Sequence, residues 1–332
     1  MNTGEIKVTS DYRKHLEDRK RRTLIMTGAV VNSALSQSLL KIVYLNTDEG
    51  VSAFGDAIAH GWPALLDMGA TYGTAFVDAA RPDVGAARGE GGKLVTVSMV
   101  ARLSDALGWM DRSKLHPTIL KAIDANALDL LRGVLFIRFP ANEAGRTLGQ
   151  HCINEDGEIQ VFCFPEDDPV LNYLRNTHNI PYFDVRSSNI TGNPEEPFAP
   201  GAVDYACAIA APVVAVSSLD ALEAQMIDQA LHRHGLIGQM RRKRFGSFPI
   251  FRLSQSTIDP TTAPIITIVR AGNTHPDTLT HLAKGCFPEA RILYTEEKKA
   301  DFRHEYESPY TDAHEIQRDL IRASHETFVD LD

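Results

Sequence analysis

The sequence predicts an α/β protein in which helices cover a β-sheet. Strand-like apolar runs alternate with segments of helical spacing between residues 52 and 294, and this alternation is typical of a sheet with helices packed on it. Proline or glycine follows several of these segments, as expected where elements end. The longest apolar stretches, residues 133–139 and 208–217, fall short of the ~18 residues that cross a bilayer. We therefore expect no transmembrane helix and no membrane partner.

Each element follows from local spacing and from the residues that end it. Residues 24–44 mix helical and strand spacing, so their type stays open, and residues 208–216 form an apolar run. Gly61 ends the first helix, and Pro140 and Pro165 end two of the strands;. Helical spacing predicts helices over residues 52–60, 103–109, 119–131, 169–177, 220–234 and 276–284. Apolar runs predict strands over residues 63–66, 94–100, 133–139, 159–164, 248–253 and 265–269.

Charge and cysteine content narrow the class of protein. The net charge is −9, of which −6 falls in residues 296–332, whereas residues 1–22 carry +3. A globally basic nucleic-acid binder is disfavoured, although a local basic cavity fits this balance. The four cysteines have no CxxC spacing and the start of the chain lacks a secretory signal;. We expect a reduced, cytoplasmic protein without a zinc site or a disulfide framework.

Common catalytic motifs do not occur in the sequence. Leu94 follows Gly92-Lys93, so the pattern of a phosphate-binding P-loop is not met;. No GxGxxG follows a strand, and neither GxSxG nor HExxH is present;. His232 and His234 lie two apart on a predicted helix and point to different faces. We therefore predict no metal-ligating residues.

Three short polar turns, each after an apolar strand, are the strongest functional signal. They occupy residues 67–73, 186–192 and 255–259. Serine, threonine, asparagine and glycine at strand ends offer hydroxyl groups and backbone N–H groups. Such donors suit an anionic ligand such as a triphosphate.

In their order and spacing these turns resemble the motifs of the YrdC/YciO family of threonylcarbamoyl-adenylate synthases. The resemblance covers about residues 52–294 and rests on five ordered blocks. These blocks are Thr71-Tyr72-Gly73 after a strand, Arg88 ahead of Lys93, the strand at 132–141, Ser187-Ser188-Asn189 after Pro181, and Ser256-Thr257-Ile258-Asp259 followed by Val269-Arg270-Ala271-Gly272.

The resemblance implies a fold and a domain organisation. We expect a YrdC-like twisted, open, mixed sheet that is flanked by helices and surrounds a concave cavity. Residues 1–45 would form an N-terminal extension and residues 46–294 the YrdC-like domain. Residues 295–332 would form an acidic C-terminal tail or a docked helix.

The resemblance also implies an activity. The family condenses threonine, bicarbonate and ATP into an N-carboxylated aminoacyl adenylate and pyrophosphate, the first step of the t6A modification of tRNA. The chain would then be an ATP-binding nucleotidyltransferase that uses Mg²⁺, with an amino acid and bicarbonate as substrates. Such chemistry depends on positioning and on neutralising the triphosphate.

Residue roles carried over from the family are expectations. Arg88, Ser187 and Asn189 would be catalytic. Ser256, Thr257 and Arg270 would hold the triphosphate. The substrate pocket would contain Met68, Thr71, Tyr72 and Phe136.

This sequence departs from the family at charged and pocket positions. Ala86 replaces a lysine, and Cys163 or Phe164 stands where the family has an arginine. Lys93, Arg138, Arg186 and the basic run at 241–244 are candidate replacements for the missing charges. Arg186, directly before Ser187, is the preferred one, and we assign it to nucleotide binding.

Met68 and Phe136 replace threonines, which predicts altered amino-acid specificity. One hypothesis is therefore an ATP-dependent enzyme that uses another amino acid. A second is a catalytically lapsed protein that binds nucleotide or double-stranded RNA. A third is an enzyme of specialised metabolism that adenylates its substrate and transfers the acyl or carbamoyl group to another acceptor.

Overall fold

The computed structural model describes most of residues 40–295. The described ranges are 40–69, 71–77, 98–148, 152–154, 156–188, 198–209, 211–233, 248–253, 261–272 and 274–295. Nearly all of the predicted N-terminal extension and of the acidic tail therefore lies outside the described residues.

Eleven described strands form one mixed sheet in the order β1-β8-β2-β3-β7-β4-β6-β5-β9-β10-β11. The sheet contains parallel pairs, such as β4 with β6, and antiparallel pairs, such as β3 with β7. The strands are β1 (Lys41–Tyr44), β2 (Ala64–Asp67), β3 (Tyr72–Phe76), β4 (Ser98–Arg102), β5 (Phe136–Pro140), β6 (Glu158–Phe164), β7 (Tyr182–Ser187), β8 (Val213–Val216), β9 (Ile250–Arg252), β10 (Ile265–Arg270) and β11 (Arg291–Tyr294).

Helices flank this sheet, which confirms the predicted α/β class. The described α-helices are α1 (Asp48–Ala59), α2 (Leu103–Trp109), α3 (Pro117–Asp124), α4 (Glu143–Leu148), α5 (Pro169–His178), α6 (Ala199–Ile209), α7 (Leu219–Arg233) and α8 (Pro276–Cys286). Within the described ranges, no helix combines the length and the apolarity needed to cross a bilayer.

Three helices begin with the same device. A proline stands at the start of α3, α5 and α8, where its missing N–H costs no hydrogen bond;. The preceding residues, His116, Asp168 and His275, each accept a backbone N–H from the first turn with their side chains;. The predicted starts of α5 and α8 agree with these signals, whereas the predicted start of α3 lies two residues after Pro117.

Some elements differ from the sequence prediction. The helix expected over residues 119–131 ends at Asp124, because Asn126 adopts a left-handed conformation with φ of 62°;. A short 3₁₀ helix, Ala127–Leu131, follows it. The apolar run at 208–216 is divided between the end of α6 and strand β8.

The two faces of the sheet bury different side chains, as strand alternation requires. On the face we call the α1 face, Leu66, Val100 and Phe162 share a core cluster with Phe54 of α1 and Leu171 of α5. We call the opposite side the α7 face. The strand residues that point to the α7 face pack into two other clusters. One cluster includes α6 and α7, and the other includes α2, α3 and α8.

Candidate anion-binding site

Several of the predicted site residues lie outside the described part of the chain. These are Arg88, Asn189, Ser256 and Thr257, together with Ala86, Lys93 and residues 241–244. The backbone of Ser187 is described as the last residue of β7. The predicted roles of all these residues, including Ser187, stay predictions.

Two of the sequence blocks meet as neighbouring strands. Gly73 of β3 lies opposite Ser187 of β7, and the N–H of Ser188 donates to the carbonyl oxygen of Tyr72 at 3.1 Å. A Cβ atom on Gly73 would overlap Val185 Cγ2 and would lie 2.8 Å from Met68 Sδ. Glycine at this position therefore lets Met68 and Val185 pack against the strand pair.

The closing block brings Arg270 to the α1 face. Strand β10 has a register irregularity between Ile268, which lies opposite Phe251, and Arg270, which lies opposite Ile250. Phe251 and Ile250 belong to clusters on opposite faces, so this bulge turns Arg270 away from the face of Ile268;. Its Nε donates to the carbonyl oxygen of Phe248 at 2.8 Å.

The turn after β10 explains the glycine of this block. Gly272 has φ of 57°, in the left-handed region that side chains disfavour;. The N–H of Thr274 donates to the carbonyl oxygen of Ala271 at 3.2 Å. The Val269-to-Gly272 block is thus a strand end followed by a tight turn.

Arg138 lies on the same α1 face, in the middle of β5. It follows Phe136 by two residues, and Phe136 belongs to the α1-face cluster;. Its Nη2 donates to Gln160 Oε1 at 2.8 Å, and Gln160 Nε2 donates to Ser98 Oγ at 2.6 Å. Its Nε is buried and has no hydrogen-bond partner among the described residues.

Arg252 and Glu158 complete this polar region, and sequence reasoning missed both. Arg252 lies directly opposite Arg138 on the neighbouring strand β9. Its Nε donates to Glu158 Oε1 at 2.8 Å, and its Nη2 donates to Asp156 Oδ2 at 2.8 Å. A signal was present, because Glu158 and Gln160 alternate with apolar residues in an otherwise apolar strand;.

Three arginines, Arg138, Arg252 and Arg270, and two carboxylates, Glu158 and Asp156, interact in this region, which leaves it with one excess positive charge. Burial lowers the pKa of Arg138, the carboxylate of Glu158 opposes that shift, and the charges of Arg252 and Arg270 reinforce it. The guanidinium nevertheless stays charged at any working pH. An anion on this face would relieve the repulsion between the arginines and accept charge-assisted hydrogen bonds.

The structure does not bring Arg186 to this face. Arg186 lies opposite Thr74, and its guanidinium carbon is 5.5 Å from the ring centroid of Phe76. Phe76 packs in the core on the α7 face. The sequence could not give this orientation, since a shift of one residue in a strand reverses the face.

The predicted substrate-pocket residues are divided between the two faces. Tyr72 lies on the α7 face, where its hydroxyl donates to Gln225 Oε1 at 2.9 Å. Met68 and Phe136 share the α1-face cluster, with strands β3, β7, β4 and β6 between them. Thr71 is buried, and its carbonyl oxygen accepts the N–H of Met68.

Cys163 and Phe164, the two candidates for the place of the family arginine, lie on opposite faces of the sheet. Cys163 is buried in the core cluster on the α7 face, opposite the arginines. Burial raises the pKa of its thiol to about 12. Phe164 is partly exposed and contacts the ring of Phe162 on the α1 face, with 5.6 Å between the ring centroids. Phe164 is therefore the residue that stands nearer to the arginine-bearing face.

A cavity of about 280 Å³ lies elsewhere, beside the start of α5. Its lining is mainly apolar and includes Leu66, Phe164 and Val170. Its carboxylates already accept hydrogen bonds, since Asp67 receives Gly69 N and Gln225 Nε2, and Asp168 caps α5. Among the described residues no group of three or more potential metal ligands is found.

Comparison with known proteins concerns the fold. No protein-family profile and no curated protein sequence matches the chain. A hypothetical protein from Streptococcus mutans UA159 has a TM-score of 0.53 at 10% identity, covering 77% of this chain and 99% of that chain. YciO of E. coli has a TM-score of 0.47 at 9% identity, and the match covers 71% of this chain and 97% of YciO. Sua5 of P. abyssi complexed with L-threonine has a TM-score of 0.47 at 13% identity, and the match covers 76% of this chain and 62% of Sua5. This chain thus spans less than two thirds of the Sua5 length. At these identities the likeness concerns the fold alone.

Proposed function

The chain has the YrdC-like fold, and we propose that it is an ATP-dependent enzyme of the threonylcarbamoyl-adenylate synthase type. It would condense an amino acid, bicarbonate and ATP into an N-carboxylated aminoacyl adenylate and pyrophosphate. Support comes from the five ordered motif blocks, two of which meet at the β3–β7 pair. A fold alone supports many functions, so the proposal depends on the chemistry of the site.

The observation that carries the proposal is the placement of Arg138. Arg138 is partly buried on the α1 face with Arg270, and its hydrogen-bond partner Gln160 is uncharged. A buried guanidinium without a paired anion is costly. A bound triphosphate would supply that anion and would accept a hydrogen bond from the unpartnered Nε–H.

Arg138 also offers a positive charge in place of those that the family pattern has and this chain lacks. The sequence has Ala86 in place of a lysine and Cys163 or Phe164 in place of an arginine. Two cations on one face, Arg138 and Arg270, would neutralise part of a bound polyphosphate. Mg²⁺ would arrive with ATP, because protein-bound Mg²⁺ commonly keeps nucleotide phosphates among its ligands.

Threonine is not the expected substrate. Met68 and Phe136 replace family threonines, and both are buried with apolar neighbours. Four strands lie between Met68 and Phe136, so the two residues do not line one pocket. A pocket wall formed by either residue offers no hydroxyl there to pair with the side chain of threonine, and so gives no preference for threonine. We propose a more apolar amino acid.

ATP-dependent release of pyrophosphate tests the function. Purified protein is incubated with MgATP and each of the twenty amino acids, with and without bicarbonate. The proposal expects release that needs both an amino acid and bicarbonate, with threonine among the poor substrates. Binding of ATP without release under any condition would favour the lapsed nucleotide-binding protein instead. Absence of ATP binding would remove the proposal.

A further inference from the structure

We infer that Arg252 is a positioning residue: it holds the buried carboxylate of Glu158 and thereby leaves Arg138 available to a phosphate. This inference rests on the proposed function, because it concerns the anion that Arg138 would bind. It assigns a role to a strand residue that lies outside the motif blocks of the sequence.

Two arginines, Arg138 and Arg252, lie within reach of one buried carboxylate, that of Glu158. Arg138 and Arg252 are direct neighbours on parallel strands β5 and β9. Glu158 lies on β6, two residues from Gln160, which is opposite Arg138. A diagonal position of this kind is about 7–8 Å away between Cα atoms, within reach of an arginine side chain. Arg138 and Arg252 can therefore both reach Glu158.

Glu158 forms its ion pair with Arg252. The glutamate is 2% exposed, and its two oxygens accept from Arg252 Nε at 2.8 Å and from Asn154 Nδ2 at 3.1 Å. Arg138 donates instead to the uncharged Gln160. The ion pair thus removes the acid that would otherwise neutralise Arg138.

Loss of Arg252 would change this arrangement because a buried carboxylate without a cation is costly. Arg138 is a remaining cation on the same face, and its charge already interacts with that of Glu158. Arg138 would then pair with Glu158 and lose its attraction for a phosphate. An unpaired Glu158 would have the same consequence, because it would repel the phosphate directly.

A purely structural role for Arg252 predicts different behaviour. Arg252 also pairs with Asp156, which is largely exposed in the turn before β6. If Arg252 only tied down this turn, its loss would lower stability, and neutralising Glu158 would not restore ligand binding. Rescue by a second substitution therefore separates the two roles.

The test compares MgATP affinity, measured by calorimetry, in Arg252→Met, Glu158→Gln and the double variant. We expect Arg252→Met to bind about tenfold more weakly and the double variant to recover to within about threefold of wild type. Glu158→Gln alone should bind more tightly than wild type. Arg175→Met, which breaks the ion pair of Arg175 with Asp105 at 2.6 Å, is the control for loss of one cation elsewhere and should bind like wild type.

A second readout needs no ATP. The Nε–H resonance of Arg138, assigned from Arg138→Lys, should shift in Arg252→Met and return in the double variant. Wild-type affinity in Arg252→Met, or no recovery in the double variant, would overturn the inference while leaving the proposed function intact. If wild type binds no ATP, the proposed function fails, and the resonance alone then decides whether Arg252 keeps Glu158 from Arg138.

Discussion

Gly73 lies directly opposite Ser187 in the antiparallel pair of β3 and β7. This pairing joins two motif blocks that are far apart in the sequence, and the N–H of Ser188 adds a hydrogen bond to the carbonyl oxygen of Tyr72. A side chain at residue 73 would overlap those of Val185 and Met68, which pack beside this strand pair. The side-chain packing over this part of the sheet therefore depends on one glycine.

Replacing Gly73 by alanine should destabilise the protein. The new Cβ would overlap Val185 Cγ2 and press on Met68 Sδ, so both side chains must move. Overpacking of this kind costs about 1–3 kcal/mol of the free energy of unfolding. Urea denaturation monitored by circular dichroism measures the change.

Gly108→Ala is the matched control for this substitution. Gly108 lies in α2, and nothing lies within 4 Å of a Cβ atom built on it. Alanine there should raise the free energy of unfolding by about 0.5–1 kcal/mol, because it is the better helix former. Equal effects of the two variants would contradict the packing argument at Gly73.

Much of the fold was predictable from the sequence because local signals mark its elements. Helix α2 has the predicted bounds, and α5 extends the predicted one by a single residue. Strand β6 likewise begins one residue before the predicted one. Proline at helix starts and alternation in strands act within a few residues, so one sequence suffices to read them.

The candidate site was less predictable because it depends on strand order. Arg138 and Arg252 become neighbours through the pairing of β5 with β9, which are far apart along the chain. The orientation of Arg270 depends on a bulge, and that of Arg186 on the register with β3. None of these features leaves a local signal, so the sequence pointed to Arg186 and not to Arg252.

Asp168 provides a prediction about pH. Burial raises the pKa of this N-cap carboxyl above 3.8, although backbone N–H groups of α5 oppose the shift. A raised pKa means that folding favours the protonated carboxyl of Asp168;. The stability that this protonated carboxyl contributes is present below pH 3.8 and is lost as pH rises through the folded-state pKa;. Asp168→Asn should therefore gain stability relative to wild type as pH increases from about 3 to about 6.

Thermal unfolding at a series of pH values measures this difference. Asp168→Ala is the companion variant and should lose about 1 kcal/mol, because it removes the cap that accepts the N–H of Leu171;. A pH-independent difference between Asp168→Asn and wild type would contradict the assignment.

Two buried thiols should be unreactive in the native protein. Burial raises the pKa of Cys163 to about 12 and that of Cys286 to about 11. Since the thiolate is the nucleophile, iodoacetamide at about pH 8 should modify neither residue until the protein unfolds. Mass spectrometry of peptides from native and urea-treated samples checks this. Equal modification of Cys163 in both samples would show that the α7-face core is open.

Calorimetric titration of MgATP into wild type, Arg138→Met and Arg186→Met tests the central claim most directly. Both substitutions remove one guanidinium and keep most of the side-chain length, and circular dichroism confirms that each variant is folded. Because Arg138 and Arg186 lie on opposite faces of the sheet, the account predicts unequal effects. Arg138→Met should lose about 1.5–3 kcal/mol of binding free energy, roughly ten- to a hundredfold in affinity, while Arg186→Met should bind as wild type does. Undiminished binding by Arg138→Met, or a loss confined to Arg186→Met, would contradict the account.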